Sequence, residues 1–402
     1  MILSTLAFAL CFAVWGSVAP LAPIFRETYG LSQTGVGFLI AVPVILGSLA
    51  RVPLGVLTER FGGRAMFAAL LLFLIVPSIA MGFAGSYAGL IGTVLVLGIA
   101  GASFAIGIPF VNAWFPPERQ GFALGIYGAG NIGTAIAAKL GPYMAAHYGI
   151  AWAFWIYVPA LAVFGVVFWL TARDAAGARR PAGSLRHRLA VLHERPFTWV
   201  PILFYFVTFG GFVAIGAFLP IFLVTRYELT IADAGTRTAG FVLLATLARP
   251  IGGWVSDRWG SVPTLNFTFV IVALFAIVMA FEAAMAPMTV AFLGTACALG
   301  LGNGAVFKLV AERFPGQTGV VGGLVGAAGG LGGFFPPLVM GAVKDATGSY
   351  AIGFMLLSEF ALLCLVVNLL AVQGGVHALL GPEAAQPGPF GQAGEEPRRR
   401  AS

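Results

Sequence analysis

Charge is scarce in this chain. Of its 402 residues only 9% are Asp, Glu, Lys or Arg, while 59% are hydrophobic. A typical soluble domain carries about 25% charged residues. A water-soluble fold cannot hide that much apolar area, because surface shrinks too slowly with size, so an ordinary soluble enzyme is excluded. Cysteine is nearly absent. Cys11, Cys297 and Cys364 all lie inside apolar runs, with no metal or redox spacing, and read as small buried hydrophobes. The histidines, His147, His187, His193 and His377, fall in loops or at span ends. They leave no histidine-based site or proton relay inside a bundle. Although the net charge is +7, the basic residues form no aromatic-interleaved face, so nucleic acid is not a partner. The short alternating segments of a transmembrane barrel are missing as well.

Long continuous apolar runs stand in their place. One membrane span takes about 20 apolar residues, and runs at 3–25, 35–57, 64–84, 88–113, 120–146, 150–171, 198–224, 235–256, 264–285, 288–311, 318–343 and 350–372 read as spans 1 to 12. No basic residue precedes the first run, so a cleaved signal peptide is not expected. The sequence predicts an all-α membrane protein with a first six-span unit at 1–171, a basic linker at 172–197 and a second unit at 198–372. A Gly-, Pro- and Ala-rich tail at 373–402 reads as disordered; its Arg398, Arg399 and Arg400 could touch anionic lipid.

The lysine and arginine bias sets orientation. The linker holds Arg173, Arg179, Arg180, Arg186, Arg188 and Arg195, and the loops on its side hold Arg60, Arg64, Arg119, Arg258 and Arg313. The other side has Arg26, Arg226, Arg237 and Lys344. Linker and both termini are therefore expected in the cytoplasm.

The sequence matches itself at a shift of about 198 residues. Leu49-Ala50-Arg51, then Gly55, Glu59, Arg60 and Gly62, recur in register as Leu247-Ala248-Arg249, Gly253, Asp257, Arg258 and Gly260. Gly130-Asn131-Ile132-Gly133 recurs one residue out of step as Gly329-Gly330-Leu331-Gly332. Two units of the same orientation are the parallel-repeat plan of a secondary transporter, with the substrate near the midplane. The glycine, acid and arginine stretches resemble the loop 2–3 and loop 8–9 signature of the major facilitator superfamily. There the acid and the arginine can pair at the cytoplasmic ends.

Ionisable residues inside spans cost roughly 2.5–3.5 kcal/mol each. Lys139 and Lys308 lie away from mid-span, where snorkelling explains them; Glu312 is in reach of Lys308. Glu359 stands alone in span 12. Arg51 and Arg249 occupy equivalent deep places with no acid nearby in sequence. Two such guanidiniums in a cavity call for an anion, and their planar forks suit an oxyanion.

Spans 5 and 11 are dense in glycine, which permits close helix approach or bares backbone to a small solute. Gly128-Ala129-Gly130-Asn131-Ile132-Gly133 has the G-x-G-x-x-G spacing, but no strand precedes it, so no dinucleotide is implied. Asn131 is an intramembrane amide that needs a partner.

Gly125 to Ala135 in span 5, Gly326 to Pro336 in span 11 and Gly302 to Val310 in span 10 resemble the signatures of the nitrate/nitrite porter family, most closely its assimilatory bacterial members. That resemblance implies the twelve-helix facilitator fold in a bacterial cytoplasmic membrane, with nitrate and nitrite as substrates. It implies anion binding by Arg51 and Arg249, with Asn131, Phe104, Tyr205, Phe209 and the glycines Gly128, Gly130, Gly329 and Gly330 around them. The span 5 glycine run is one residue shorter than in some members. No enzyme activity, cofactor or metal is implied, and a monomer is expected. Another small anion is the nearest alternative, and a membrane sensor or assembly subunit the alternative from outside transport. Proton symport and nitrate/nitrite exchange both stay open.

Overall fold

The computed structural model describes residues 1–175, 185–314 and 317–373. Arg179, Arg180 and the tail beyond Gln373 lie outside the described residues. The described chain is helical throughout. Eleven stretches are long and apolar enough to cross a membrane: Ile2–Tyr29, Gln33–Phe61, Gly63–Phe83, Tyr87–Asn112, Trp152–Thr171, Pro196–Tyr227, Ile231–Trp259, Ser261–Ala280, Met285–Arg313, Val320–Thr347 and Ala351–Leu370. Helical segments from Pro117 to Tyr148 fill the place of span 5. Its glycines, Asn131, Lys139 and His147 make it less apolar than the others.

Turn chemistry punctuates the spans at equivalent places. Span 2 ends at Gly62 with φ 90° and ψ 151°, and span 8 at Gly260 with φ 90° and ψ 154°. An L-residue with a side chain rarely takes that conformation. Each of these two spans also begins with a hydroxyl cap: the Ser32 oxygen accepts from Gly35 N and the Thr230 oxygen from Asp233 N. Such caps satisfy backbone donors that a helix start leaves free.

Several spans are interrupted near mid-length. Span 4 carries a 3₁₀ turn at Gly98–Ala102 and span 5 one at Ala129–Asn131, while span 2 breaks at Ala50, just before Arg51. Spans 7, 8 and 10 contain unbroken helices, Trp199–Tyr227, Ile231–Trp259 and Met285–Arg313.

The first six spans meet the last six along two seams, span 2 with span 11 and span 5 with span 8. We call the end with the turns at Gly30, Gly149 and Gly348 distal, and the end with Gly62 and Gly260 proximal. On the distal side the backbones touch. A β-carbon on Gly37 would collide with Pro337 O, one on Gly341 with Gln33 O and one on Gly235 with Ala138 O. On the proximal side, Gly55, Gly125, Gly253 and Gly323 have no neighbour within 4 Å of such a carbon among the described residues. Gly55 and Gly253 lie one turn from Arg51 and Arg249, hence on the same helix faces. The seams are shut distally.

Candidate functional site

Arg51 opens the helix Arg51–Phe61, and Arg249 sits inside the unbroken helix of span 8. They are 3% and 5% exposed. Each guanidinium lies over the same two rings. Arg51 Cζ is 5.9 Å from the Phe104 centroid and 5.5 Å from that of Phe209. Arg249 Cζ is 5.5 Å and 5.9 Å from those same rings, and 5.8 Å from Tyr205 and 5.6 Å from Phe307. Cation–π attraction within about 6 Å offsets part of the cost of burying two like charges. Among the described residues neither arginine has a carboxylate partner.

Their hydrogen bonds differ. Arg51 Nε donates to Gly101 O at 3.2 Å, and Nη1 donates to Gly326 O. Gly101 belongs to the 3₁₀ turn of span 4. Arg249 Nη2 donates to Tyr205 Oη at 2.8 Å, while its Nη1 is buried with no partner among the described residues. An unsatisfied buried donor is costly, more so when charged.

The aromatic wall is built from several spans. Tyr205 and Phe209, one helical turn apart, stack with centroids 5.0 Å apart at 2°. Phe307 meets Tyr205 edge-on at 5.0 Å and Phe104 at 6.3 Å. Tyr127 lies against Phe104 at 5.7 Å and donates to Ser103 O.

The glycines divide by role. A β-carbon on Gly128 would lie 3.2 Å from Arg249 Nε, and one on Gly330 3.0 Å from Arg51 Nη1. Each therefore makes room for the arginine of the opposite unit. Gly130 abuts Phe8 and Gly329 abuts Tyr205, so these two let spans pack instead. Asn131 Nδ2 donates to Gly128 O of its own span at 2.8 Å, and its Oδ1 is buried without a partner among the described residues.

The sequence singles out Arg51, Arg249, Phe104, Tyr205, Phe209, Gly128 and Gly330, and the fold brings them together. It adds Phe307, Tyr127 and Ser48, whose hydroxyl lies against Gly330 beside Arg51. Phe307 is one of 35 phenylalanines and has no signal of its own. Two expected pairings do not form. Lys308 Nζ pairs with Asp257 Oδ1 at 2.6 Å instead of Glu312, whose carboxylate accepts from Ser261. Arg258 lies over Trp254 at 4.2 Å instead of on Asp257. In the first unit Arg60 lies over Phe61 at 5.2 Å, and Asp174 accepts from Arg64 N at the Gly62 turn. Glu359 is exposed on the outer face of span 12 and Lys139 on that of span 5. No group of three or more metal-ligating side chains exists among the described residues.

The sequence profile described as Major Facilitator Superfamily matches residues 4–337 and, in a second match, 234–391. The chain belongs to that superfamily. Within this superfamily it falls in the nitrate/nitrite porter family. It is 41% identical over 372 residues to a probable nitrate/nitrite transporter, NarK2, of Mycobacterium tuberculosis (strain ATCC 25618 / H37Rv), covering 90% of this chain and 93% of the relative. It is 41% identical over 365 residues to a nitrite extrusion protein of Bacillus subtilis (strain 168), covering 91% and 92%. Solved facilitators share the fold. A bacterial homolog to the human lysosomal transporter Spinster, inward-facing and unoccupied, superposes with a TM-score of 0.73 at 18% identity over 92% of this chain and 95% of that one. The human organic anion transporter MFSD10 does so at 0.73 and 16% over 91% and 98%. This facilitator is an integral multi-pass membrane protein, a transporter and not an enzyme.

Proposed function

We propose that the chain carries nitrate and nitrite across the bacterial cytoplasmic membrane by alternating access, with the anion held between Arg51 and Arg249. The observation that carries this reading is the buried, unpartnered Arg249 Nη1, in a site with two guanidiniums, four aromatic rings and no carboxylate. A flat monovalent anion supplies the missing acceptor and the missing charge. Its faces fit against rings, whereas a strongly hydrated anion would lose its water there without replacement. The names of the relatives point the same way.

In this reading 1–171 and 198–372 are the two moving units, 172–197 is a cytoplasmic linker, 373–402 is a tail, and the protein works as a monomer. With no carboxylate beside the arginines, exchange of nitrate for nitrite is the simplest coupling. The test is flux into proteoliposomes with nitrite inside or absent, with and without a pH gradient. Uptake that needs internal nitrite supports exchange; uptake that follows the pH gradient supports symport. No uptake, with stabilisation by another small anion, would replace the substrate. For orientation, Ala283→Cys between spans 9 and 10 should label from outside intact cells, and failure to label would reverse the topology.

A further inference from the structure

Asp345 lies near the distal end of span 11 and makes its hydrogen bonds to the other six-span unit. Its Oδ1 accepts from Gln33 N at 3.0 Å, and its Oδ2 from Thr34 N at 2.8 Å and Thr34 Oγ1 at 2.6 Å. Gln33 and Thr34 are the first two residues of the helix Gln33–Leu49, whose cap Ser32 serves Gly35 N. A carboxylate from more than 300 positions away thus satisfies two free donors of a helix start, at the positive end of its dipole. The contact crosses the seam on the side where the seam is shut.

The other seam lacks it. Gly149 ends span 5 and Gly348 ends span 11, both at positive φ. Three residues before Gly348 stands Asp345; three residues before Gly149 stands Ala146. The helix start facing that end, after Thr230, has the same kind of cap as Ser32 provides. Backbone contact at Gly235 and Ala138 holds the second seam instead. Between the seams and the arginines lies an apolar cavity of about 50 Å³, bordered by Trp15, Pro43, Thr134, Phe212, Thr238 and Val242. Its hydroxyls are spent on backbone: Thr134 donates to Asn131 O and Thr238 to Ala234 O.

We infer that Asp345 is a one-sided latch: its carboxylate, docked on the start of span 2, keeps the distal seam closed over the apolar cavity. It must let go before anything reaches the arginines from that side. This rests on the alternating-access reading, but its test needs no anion.

Thr238→Cys, on the cavity wall and 1% exposed as threonine, reports distal opening in protein without the three native cysteines. Labelling by a water-soluble maleimide in detergent should run at least about threefold faster with Asp345→Asn, which keeps the shape and loses the charge. Thr34→Ala should act in the same direction with a smaller effect. Asp233→Asn, which alters a carboxylate at the start of span 8, should leave the rate unchanged. Parent rates in both Asp345→Asn and Thr34→Ala overturn the latch, as does an equal acceleration by Asp233→Asn. If Asp345→Asn elutes aggregated, Thr34→Ala decides. Failed nitrate transport alongside the expected labelling pattern would remove the transport reading and leave the latch standing.

Discussion

Gly128 of span 5 faces Arg249 of span 8 so closely that a β-carbon would lie 3.2 Å from Nε. Overpacking a filled site costs about 1–3 kcal/mol, equivalent to roughly five- to 150-fold in affinity. Gly128→Ala should therefore weaken nitrate binding by that factor while the protein still purifies folded. Titration calorimetry measures it. An unchanged Kd would put the anion away from Arg249.

The two arginines should respond differently to lysine. Arg51→Lys loses donors to Gly101 O and Gly326 O, so it should lower Tm as well as affinity. Arg249→Lys loses the free Nη1, and its effect should fall on nitrate affinity with less change in Tm. Lysine keeps the charge but not the planar fork. Near wild-type uptake in both variants would return the pair to a structural role.

Tyr205→Phe keeps the stack on Phe209 and removes the acceptor of Arg249 Nη2. A hydrogen bond to a charged group is worth about 1.5–3 kcal/mol. The freed N–H also gains room to meet an anion, so the affinity loss should be smaller than that of Arg249→Lys. A larger loss would make the hydroxyl a direct ligand.

Glu282, between spans 9 and 10, has φ 45°, a conformation that disfavours side chains. Its carboxylate accepts from Ser349 Oγ at 2.6 Å and Tyr350 N at 2.5 Å, and pairs with Arg226 at 3.3 Å. Burial pushes its carboxyl up, but those hydrogen bonds, with Lys344 and Arg226, outweigh it and hold it below the ordinary value of 4.5. A depressed carboxyl stabilises the fold fully above its unfolded value and loses that contribution as pH falls through the folded one. Glu282→Gln should thus lower Tm at pH 7, and the gap should close as pH is taken below 4.5. A gap independent of pH would assign the effect to shape alone.

The spans were legible because bilayer thickness fixes run length, and the arginines because the chain repeats them in the same frame. Tyr205 and Phe209 came from the family resemblance, and their spacing adds only that they share a helix face. What stayed hidden depends on contacts between distant segments. Lys308 has an acid one turn away in sequence and pairs with Asp257 in another span. Phe307 counts only because span 10 turns it toward Arg249. Asp345 looks like an ordinary end-of-helix charge until span 2 is placed beside it. The 3₁₀ turn that holds Gly101 carries no proline to announce it.

The interruptions in spans 2, 4 and 5 distribute stiffness unequally. A 3₁₀ turn in mid-helix often marks a hinge, and Arg51 sits immediately beyond the break at Ala50, whereas Arg249 is carried inside a continuous helix, next to Pro250. Under the alternating-access reading proposed above, the joints of the first unit at Ala50, Gly98–Ala102 and Ala129–Asn131 are matched in the second, among the described residues, only by the break of span 11 after Gly332, so the arginine placed beside a joint is Arg51.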